Sequence, residues 1–226
     1  MAFKRQPIAL GGLEPIRIQG QDVDFENIDE LDEDAALGIG KVEDFTWKGM
    51  LDFMACTECG RCQSQCPAWN TEKPLSPKLL IMGLRDHAFA KGPYLIADSD
   101  EKREGVSDAV KAEVERPLIG ANENGYAHAG DNGVGGVIDP DVLWSCTTCG
   151  ACVQQCPVDI EHVDHILNLR RYQVLMESEF PTEAGVMLNN LDHAGDPWGA
   201  GARARTTWIG EMDFHVRVFG ADGEDT

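Results

Sequence analysis

The sequence predicts a mainly α-helical fold with long loops and with acidic, weakly ordered ends. Three observations carry that expectation. Capping residues stand before apolar-periodic runs around both of the chain's cysteine groups. Only Phe214–Phe219 alternates at all like a strand, and it does so weakly. The two cysteine groups are separated by residues 67–145, an interval of 79 residues with helix signals at both ends, far longer than paired hairpins need.

The elements follow in order. Residues 1–20 are mixed and contain Pro7 and Pro15. From Asp22 to Asp34 there are eight acidic residues, and no basic residue lies between Arg17 and Lys41. Residues 1–43 therefore read as a solvated acidic lead-in, with a docking surface for a basic partner as the alternative. Thr46 can cap a helix whose positions Trp47, Met50, Leu51 and Met54 follow the 3.6 period into Cys56. Ser76-Pro77 is a cap followed by proline at the first helical position, so Lys78 to Ala90 is expected to be helical, with Leu79, Leu80, Met82 (or Gly83) and Phe89 inward. Ser107 opens a short helix to Glu115, stopped by Pro117, and the glycine-rich residues 120–141 read as a loop. Asp139-Pro140 starts a helix running to Trp144 and Cys146. Asp159 is placed to cap a long helix, Ile160 to Phe180, with Ile160, Val163, Leu167 and Val174 on one face and Ile166 and Leu169 beside it. Pro181-Thr182 starts a last helix to about His193, which Gly195 can end. Trp47 and Trp144 precede the two cysteine groups and are expected to pack in the core, or else to shield what the cysteines hold. This divides the chain into a lead-in (1–43), a central domain (44–195) and a linker toward a further domain (196–226).

Charge and hydropathy exclude several functions. With 19 basic and 39 acidic residues the formal net charge is −20. No basic footprint for nucleic acid is present. No apolar run is long enough to span a bilayer, and the N-terminal residues lack the apolar stretch of a secretory signal.

The eight cysteines carry the chemistry. Cys56, Cys59, Cys62 and Cys66 precede Pro67; Cys146, Cys149, Cys152 and Cys156 precede Pro157. Both groups read C-x-x-C-x-x-C-x-x-x-C-P, offset by 90 residues, and no cysteine is left over. This is the spacing of bacterial ferredoxins, where three thiolates of one tight loop reach three corners of a [4Fe–4S] cube and the fourth cysteine serves the other cluster. The spacing therefore assigns Cys56, Cys59, Cys62 and Cys156 to one cluster. Cys146, Cys149, Cys152 and Cys66 take the other. Disulfides suit small secreted chains, zinc favours separated C-x-x-C pairs, and a single cluster would idle four cysteines; all three compete poorly. Thiolate clusters also point to a reducing compartment, the cytoplasm or the inner face of its membrane.

The stretches Ala55–Ala68 (ACTECGRCQSQCPA) and Ser145–Ile160 (SCTTCGACVQQCPVDI) resemble the helical dicluster ferredoxin domain. That domain occurs in heterodisulfide-reductase-type subunits and in glycolate-oxidase and anaerobic glycerol-3-phosphate dehydrogenase iron–sulfur subunits. The continuation Glu161–Arg171 (EHVDHILNLRR) and the approach Phe45–Phe53 (FTWKGMLDF) resemble the membrane-bound iron–sulfur reductases that link electron-transfer flavoprotein to quinone in fatty-acid oxidation. The resemblance implies a helical ferredoxin-like dicluster fold and a one-electron relay from a flavoprotein donor toward a quinone-linked membrane domain or a Cys-Cys-Gly redox domain. Members of that family carry membrane helices before this domain and paired-cysteine motifs after it. No Cys-Cys pair occurs here, so the chain resembles the central section of such a protein. The alternatives are an iron–sulfur subunit of a soluble oxidoreductase, or a structural metal-bound docking module.

Other patterns carry less. Gly133–Gly136 is glycine-rich but makes no G-x-G-x-x-G, because position 138 is Ile. His162 and His165 fit no zinc-protease motif and read as a polar helix face beside the second cysteine group, with potential tuning or proton transfer as the alternative. Arg170, Arg171, Arg203 and Arg205 read as members of surface ion pairs or as contacts for an acidic partner. No nucleophilic triad can be placed, so no catalytic residue is assigned.

Overall fold

The computed structural model describes residues 12–18, 21–30, 35–126 and 134–218. Among these it is mainly α-helical, with one two-stranded sheet. The chain forms two units, Met1–Ser178 and Glu179–Thr226.

In the first unit, β1 (Arg17–Ile18) pairs antiparallel with β2 (Gln21–Asp22), and Arg17 Nε donates to Asp22 Oδ1 at 2.7 Å. A 3-10 turn, Phe25–Glu30, follows. The acidic lead-in thus contains local structure. Its residues 1–11, 19–20 and 31–34, and the tail from 219 onward, lie outside the described residues.

α1 (Trp47–Ala55) starts where expected: Thr46 Oγ1 accepts from the Gly49 N–H. Its buried face differs from expectation. Gly49, Asp52 and Phe53 point inward, while Trp47 is 71% exposed and Met54 faces outward. Asp52 is drawn in by partners on a later helix, and this rotates the buried stripe away from the apolar periodicity. Two short helices follow, α2 (Arg61–Ser64) and α3 (Pro67–Asn70).

α4 (Pro77–Leu95) begins with Ser76 Oγ accepting from the Leu79 N–H and Pro77 at the first position. Leu80, Ile81, Leu84 and Ala88 form its apolar stripe. Phe89, expected inward, is 62% exposed. The stripe continues instead through His87 and Lys91, buried polar residues paired with Glu113 and Glu43. The helix outruns the expected end at Ala90 because Pro93 stands in its last turn, where few intrahelical bonds remain to be lost.

α5 (Asp100–Glu104), capped by Ser99, was not expected from the apolar pattern because it buries nothing. α6 (Asp108–Glu115) is capped by Ser107 and packs on α4. There His87 Nδ1 donates to Glu113 Oε1 at 2.7 Å, and Arg116 reaches the same carboxylate. Burial holds the His87 pKa below the usual imidazole value, against the pull of Glu113. The unfolded chain takes up this proton near pH 6.5 and the folded one only at lower pH. Stability from this site is therefore full above about pH 6.5 and declines as pH falls. The unfolding midpoint is expected to drop between pH 7.5 and 5.5, with a smaller drop in His87→Gln.

The loop after Pro117 is held by backbone pairs of Ile138 with Ile119 and Tyr126. Gly136 lies so close to Gly120 that a Cβ would stand 2.4 Å from the Gly120 nitrogen. Residues 127–133, including Gly133, lie outside the described set. Tyr126 is buried and its hydroxyl donates to Pro74 O at 3.0 Å, fixing the turn before α4.

α7 (Pro140–Trp144) is capped by Asp139, and α8 (Ala151–Gln155) follows. α9 (His162–Leu175) is shorter than expected at both ends. Asp159 does not cap it: Asp159 is left-handed (φ 56°) and Glu161 stands at the N-cap. Ser178, also left-handed, and Pro181 stop the chain from continuing as helix to Phe180. Ile166 and Leu169, expected beside the main face, lie at its centre with no exposed surface. The core joins Val42, Phe53, Leu80, Leu84, Val137, Ile138, Leu143 and Ile166. Each such side chain contributes roughly 1.5–3 kcal/mol by leaving water.

In the second unit, α10 (Thr182–Ala194) ends at left-handed Gly195, as expected. Asp196 then accepts from the N–H groups of Trp198, Ala200 and Gly201. Two 3-10 turns follow, Ala202–Arg205 and Thr207–Glu211. Arg205 donates to Gly195 O at 2.6 Å and not to a carboxylate. Residues 214–218 form no strand, so the weak alternation there was misleading; Phe219 lies outside the described residues.

Candidate iron–sulfur site

The two cysteine loops repeat one backbone conformation. The second residue after each first cysteine is left-handed, Glu58 (φ 55°) and Thr148 (φ 54°), and so is the glycine after each second cysteine, Gly60 (φ 79°) and Gly150 (φ 76°). Glycine takes that conformation freely; Glu58 and Thr148 hold it at a cost of about 1–3 kcal/mol each. The turns aim N–H groups at sulfur. Thr148 N–H donates to Cys146 Sγ at 3.3 Å, and Ile160 N–H to Cys156 Sγ at 3.4 Å. α2 and α8 start directly after the glycines and bury Cys62 and Cys152 in their first turns.

The sulfurs surround two hollows. One is lined by Cys56, Cys59, Cys62 and Cys156, with Lys78, Ile160 and His162 among its walls. The other is lined by Cys146, Cys149, Cys152 and Cys66, with Ala68, Leu75, Val163 and Ile166. Each hollow thus has three cysteines of one loop and the fourth of the other. α2 packs on α8, and Cys62, Cys152, Val153 and Val163 share a small buried cluster.

None of the eight cysteines is in a disulfide. Among the described residues no three Cys, His, Asp or Glu side chains close on a point that would hold a single metal ion. Sulfurs ringing a hollow suit a cube, whereas one zinc ion needs four donors within about 2.3 Å. Burial pushes the Cys62 thiol up to about 11, and raises Cys56, Cys146 and Cys152 as well. The Arg61 N–H holds the exposed Cys59 down. Buried thiolates need a positive partner, which iron supplies; the donor set fits.

Polar residues around the hollows depart from expectation. His162 and His165 are buried, so they do not form a polar face. His162 Nδ1 donates to Ile160 O at 3.0 Å. His165 Nε2 donates to Asp52 Oδ2 at 2.9 Å, and the same oxygen accepts the Glu161 N–H at 3.1 Å. Lys48 pairs with the other oxygen of Asp52 and also donates to Asp159 O. This set ties α1, which leads into the first loop, to the start of α9, which leaves the second. Sequence reasoning missed Asp52. The available signal was a carboxylate four residues after Lys48 on an apolar helix.

Arg170 is not in a surface ion pair. Its Nε and Nη2 donate to Leu143 O at 3.1 and 2.7 Å, its Nη2 to Cys146 O at 2.8 Å, and it stands 4.9 Å from the Trp144 ring centre. Arg171 donates to Asn168 Oδ1 and to Glu14 O. Trp144 is half-buried under Arg170; Trp47 belongs neither to the core nor to the walls of either hollow.

Comparison with known proteins adds the family. Residues 55–160 match the 4Fe-4S dicluster domain. The chain is 34% identical over 198 residues to an "EtfAB:quinone oxidoreductase" of Syntrophomonas wolfei, covering 86% of this chain and 27% of that protein. It is 39% identical over 198 residues to the "Probable iron-sulfur-binding oxidoreductase FadF" of Bacillus subtilis, covering 83% and 27%. It is 35% identical over 224 residues to a "Probable membrane-anchored ferredoxin" of Chromohalobacter salexigens, covering 94% and 30%. The chain spans less than a third of the length of each of these relatives. No solved structure matches. The cofactors are two [4Fe–4S] clusters, and the domain's chemistry is electron transfer. Residues 55–160 thus form a 4Fe-4S dicluster domain.

Proposed function

We propose that the chain relays single electrons from a flavoprotein donor toward a quinone-linked acceptor, as the electron-carrying section (residues 44–195) of a longer membrane-associated oxidoreductase. Cys56, Cys59, Cys62 and Cys156 hold one cluster; Cys146, Cys149, Cys152 and Cys66 hold the other. The observation that carries the ligand assignment is the crossed lining of the two hollows. When bound, each cluster supplies one-electron acceptance and release with little change of geometry.

The chain's own residues do the rest. N–H groups such as those of Thr148 and Ile160 offset negative charge on sulfur. Val163, Ile166 and Leu75 keep water from the second hollow. Packing of α2 on α8 keeps the two hollows adjacent, and the crossed cysteines forbid their separation. The donor and acceptor classes rest on the name of the Syntrophomonas wolfei relative, and the membrane association on that of the Chromohalobacter salexigens relative. No helix among the described residues is long and apolar enough to cross a membrane.

The test is anaerobic reconstitution of the full chain followed by electron paramagnetic resonance. About eight irons per chain are expected, with a reduced-cluster signal that a reduced electron-transfer flavoprotein generates and a quinone analogue discharges. Fewer irons, or a bound set that neither partner changes, would leave only a structural role for the metal.

A further inference from the structure

Buried cations in this fold meet carboxylates, as the cost of taking a charge out of water requires. Lys48 sits on Asp52, Lys91 on Glu43, Arg116 on Glu113, and the less buried Arg85 on Glu58 and Asp86. The half-buried Arg170 and Arg171 depart from that pattern, but Arg171, which donates to Asn168 Oδ1 and Glu14 O, still feels the Asp164 and Glu14 carboxylates, and Arg170 feels none. Its guanidinium is held by two backbone carbonyls, Leu143 O and Cys146 O, and by the face of Trp144. Among the described residues no carboxylate pairs with it.

Cys146 lines the second hollow. Apart from its cysteines, that hollow is walled by apolar residues such as Leu75, Val163 and Ile166, by Pro77 and Gly150, and by Thr147, with no charged side chain. The first hollow already has Lys78 in its own wall. Among the described residues the wall of the second hollow thus supplies no positive charge, and Arg170 stands directly behind the Cys146 backbone.

We infer that Arg170 is the built-in countercharge of the second cluster, and that it selectively raises that cluster's reduction potential. This rests on the two-cluster assignment above. A cluster ligated by four thiolates is anionic and becomes more so on reduction. A fixed cation beside one ligand therefore stabilises the reduced state more than the oxidised one. Arginine suits the place, because its planar fork can satisfy two carbonyls and lie on an indole at once while never losing its charge. Arg170 touches Cys146 only through the backbone oxygen, so it is a positioning and charge-setting residue and not a ligand.

The experiment is a redox titration of the anaerobically loaded full chain, followed by electron paramagnetic resonance, for wild type, Arg170→Gln and Arg170→Lys. The signal that Cys149→Ser alters identifies the second cluster. In Arg170→Gln, the reduced-to-oxidised ratio of that cluster at a fixed ambient potential is expected to fall about tenfold, equivalent to about 59 mV for one electron. The first cluster is expected to titrate as in wild type. Arg170→Lys keeps the charge but not the fork, and is expected to stay within about threefold of wild type. Unchanged potentials in Arg170→Gln overturn the inference, and so does an equal fall in both clusters. A tenfold fall in Arg170→Lys also overturns it, since hydrogen bonding and not charge would then be responsible. Should Arg170→Gln fail to load, Arg170→Met, equally without charge, is titrated in its place on the same criterion. Iron content keeps the two claims apart: wild type without about eight irons defeats the two-cluster assignment, whereas a full complement with unmoved potentials defeats only the role of Arg170.

Discussion

Replacing Cys66 with serine is expected to damage the cluster of the second loop and to leave that of its own loop standing. Cys66 lies in the first cysteine group but lines the hollow of Cys146, Cys149 and Cys152. Cys66→Ser should therefore give the same resonance spectrum as Cys149→Ser, and a different one from Cys59→Ser. Iron content should fall from about eight toward about four per chain. Electron flow from flavoprotein to quinone should drop at least about 100-fold, the upper end of what loss of a merely supporting residue causes. Cys156→Ser is the mirror case and should match Cys59→Ser. If Cys66→Ser instead matched Cys59→Ser, each loop would serve its own cluster and the crossed assignment would fail.

The second large effect is expected at Asp52. Its side chain is buried, and its two oxygens satisfy Lys48, His165 and the Glu161 N–H. Asp52→Ala leaves a buried ammonium, an imidazole and an amide without their acceptor. Loss of one partner from such a buried set costs about 3–5 kcal/mol. For a unit of this size that lowers the thermal midpoint by about 10 °C. Burial alone would raise the Asp52 carboxyl pKa, but hydrogen bonds from His165, Lys48 and the Glu161 N–H outweigh it and hold it below the usual carboxylate range. Its contribution is therefore complete above about pH 4, where the unfolded carboxylate is already ionised, and is lost as pH falls through the lower folded value. The deficit of Asp52→Ala should be flat between pH 5 and 8 and shrink below about pH 4. Differential scanning calorimetry at several pH values checks both. A midpoint shift under about 2 °C would mean that the set stabilises nothing.

What could be read from the sequence was local. The caps at Thr46, Ser76, Ser107 and Asp139 start helices where expected, because a cap and its recipient N–H lie within one turn. The cysteine pattern was equally legible, since its spacing and glycines fix the loop before any partner arrives. Facing was not. Trp47 and Phe89 point outward because the apolar stripes of α1 and α4 are set by what packs on them, and what packs there includes polar residues such as Asp52, His87 and Lys91. Arg170 was misread for the same reason. Its acceptors, Leu143 O and Cys146 O, lie more than twenty residues away and are backbone atoms that any side chain could carry. Asp159 looked like a cap, yet the chain leaving Cys156 turns left-handed there so that Ile160 N–H can reach the sulfur.

The interlaced lining of the hollows also sets a timetable for biosynthesis. The first nest of sulfurs lacks its last member until the ribosome has passed Cys156, and the second borrows one made 80 residues before its own first cysteine. Under the crossed assignment neither would mature on a nascent chain that stops between the loops. A product cut off there would hold no complete nest, and so no half-built carrier to leak electrons to oxygen.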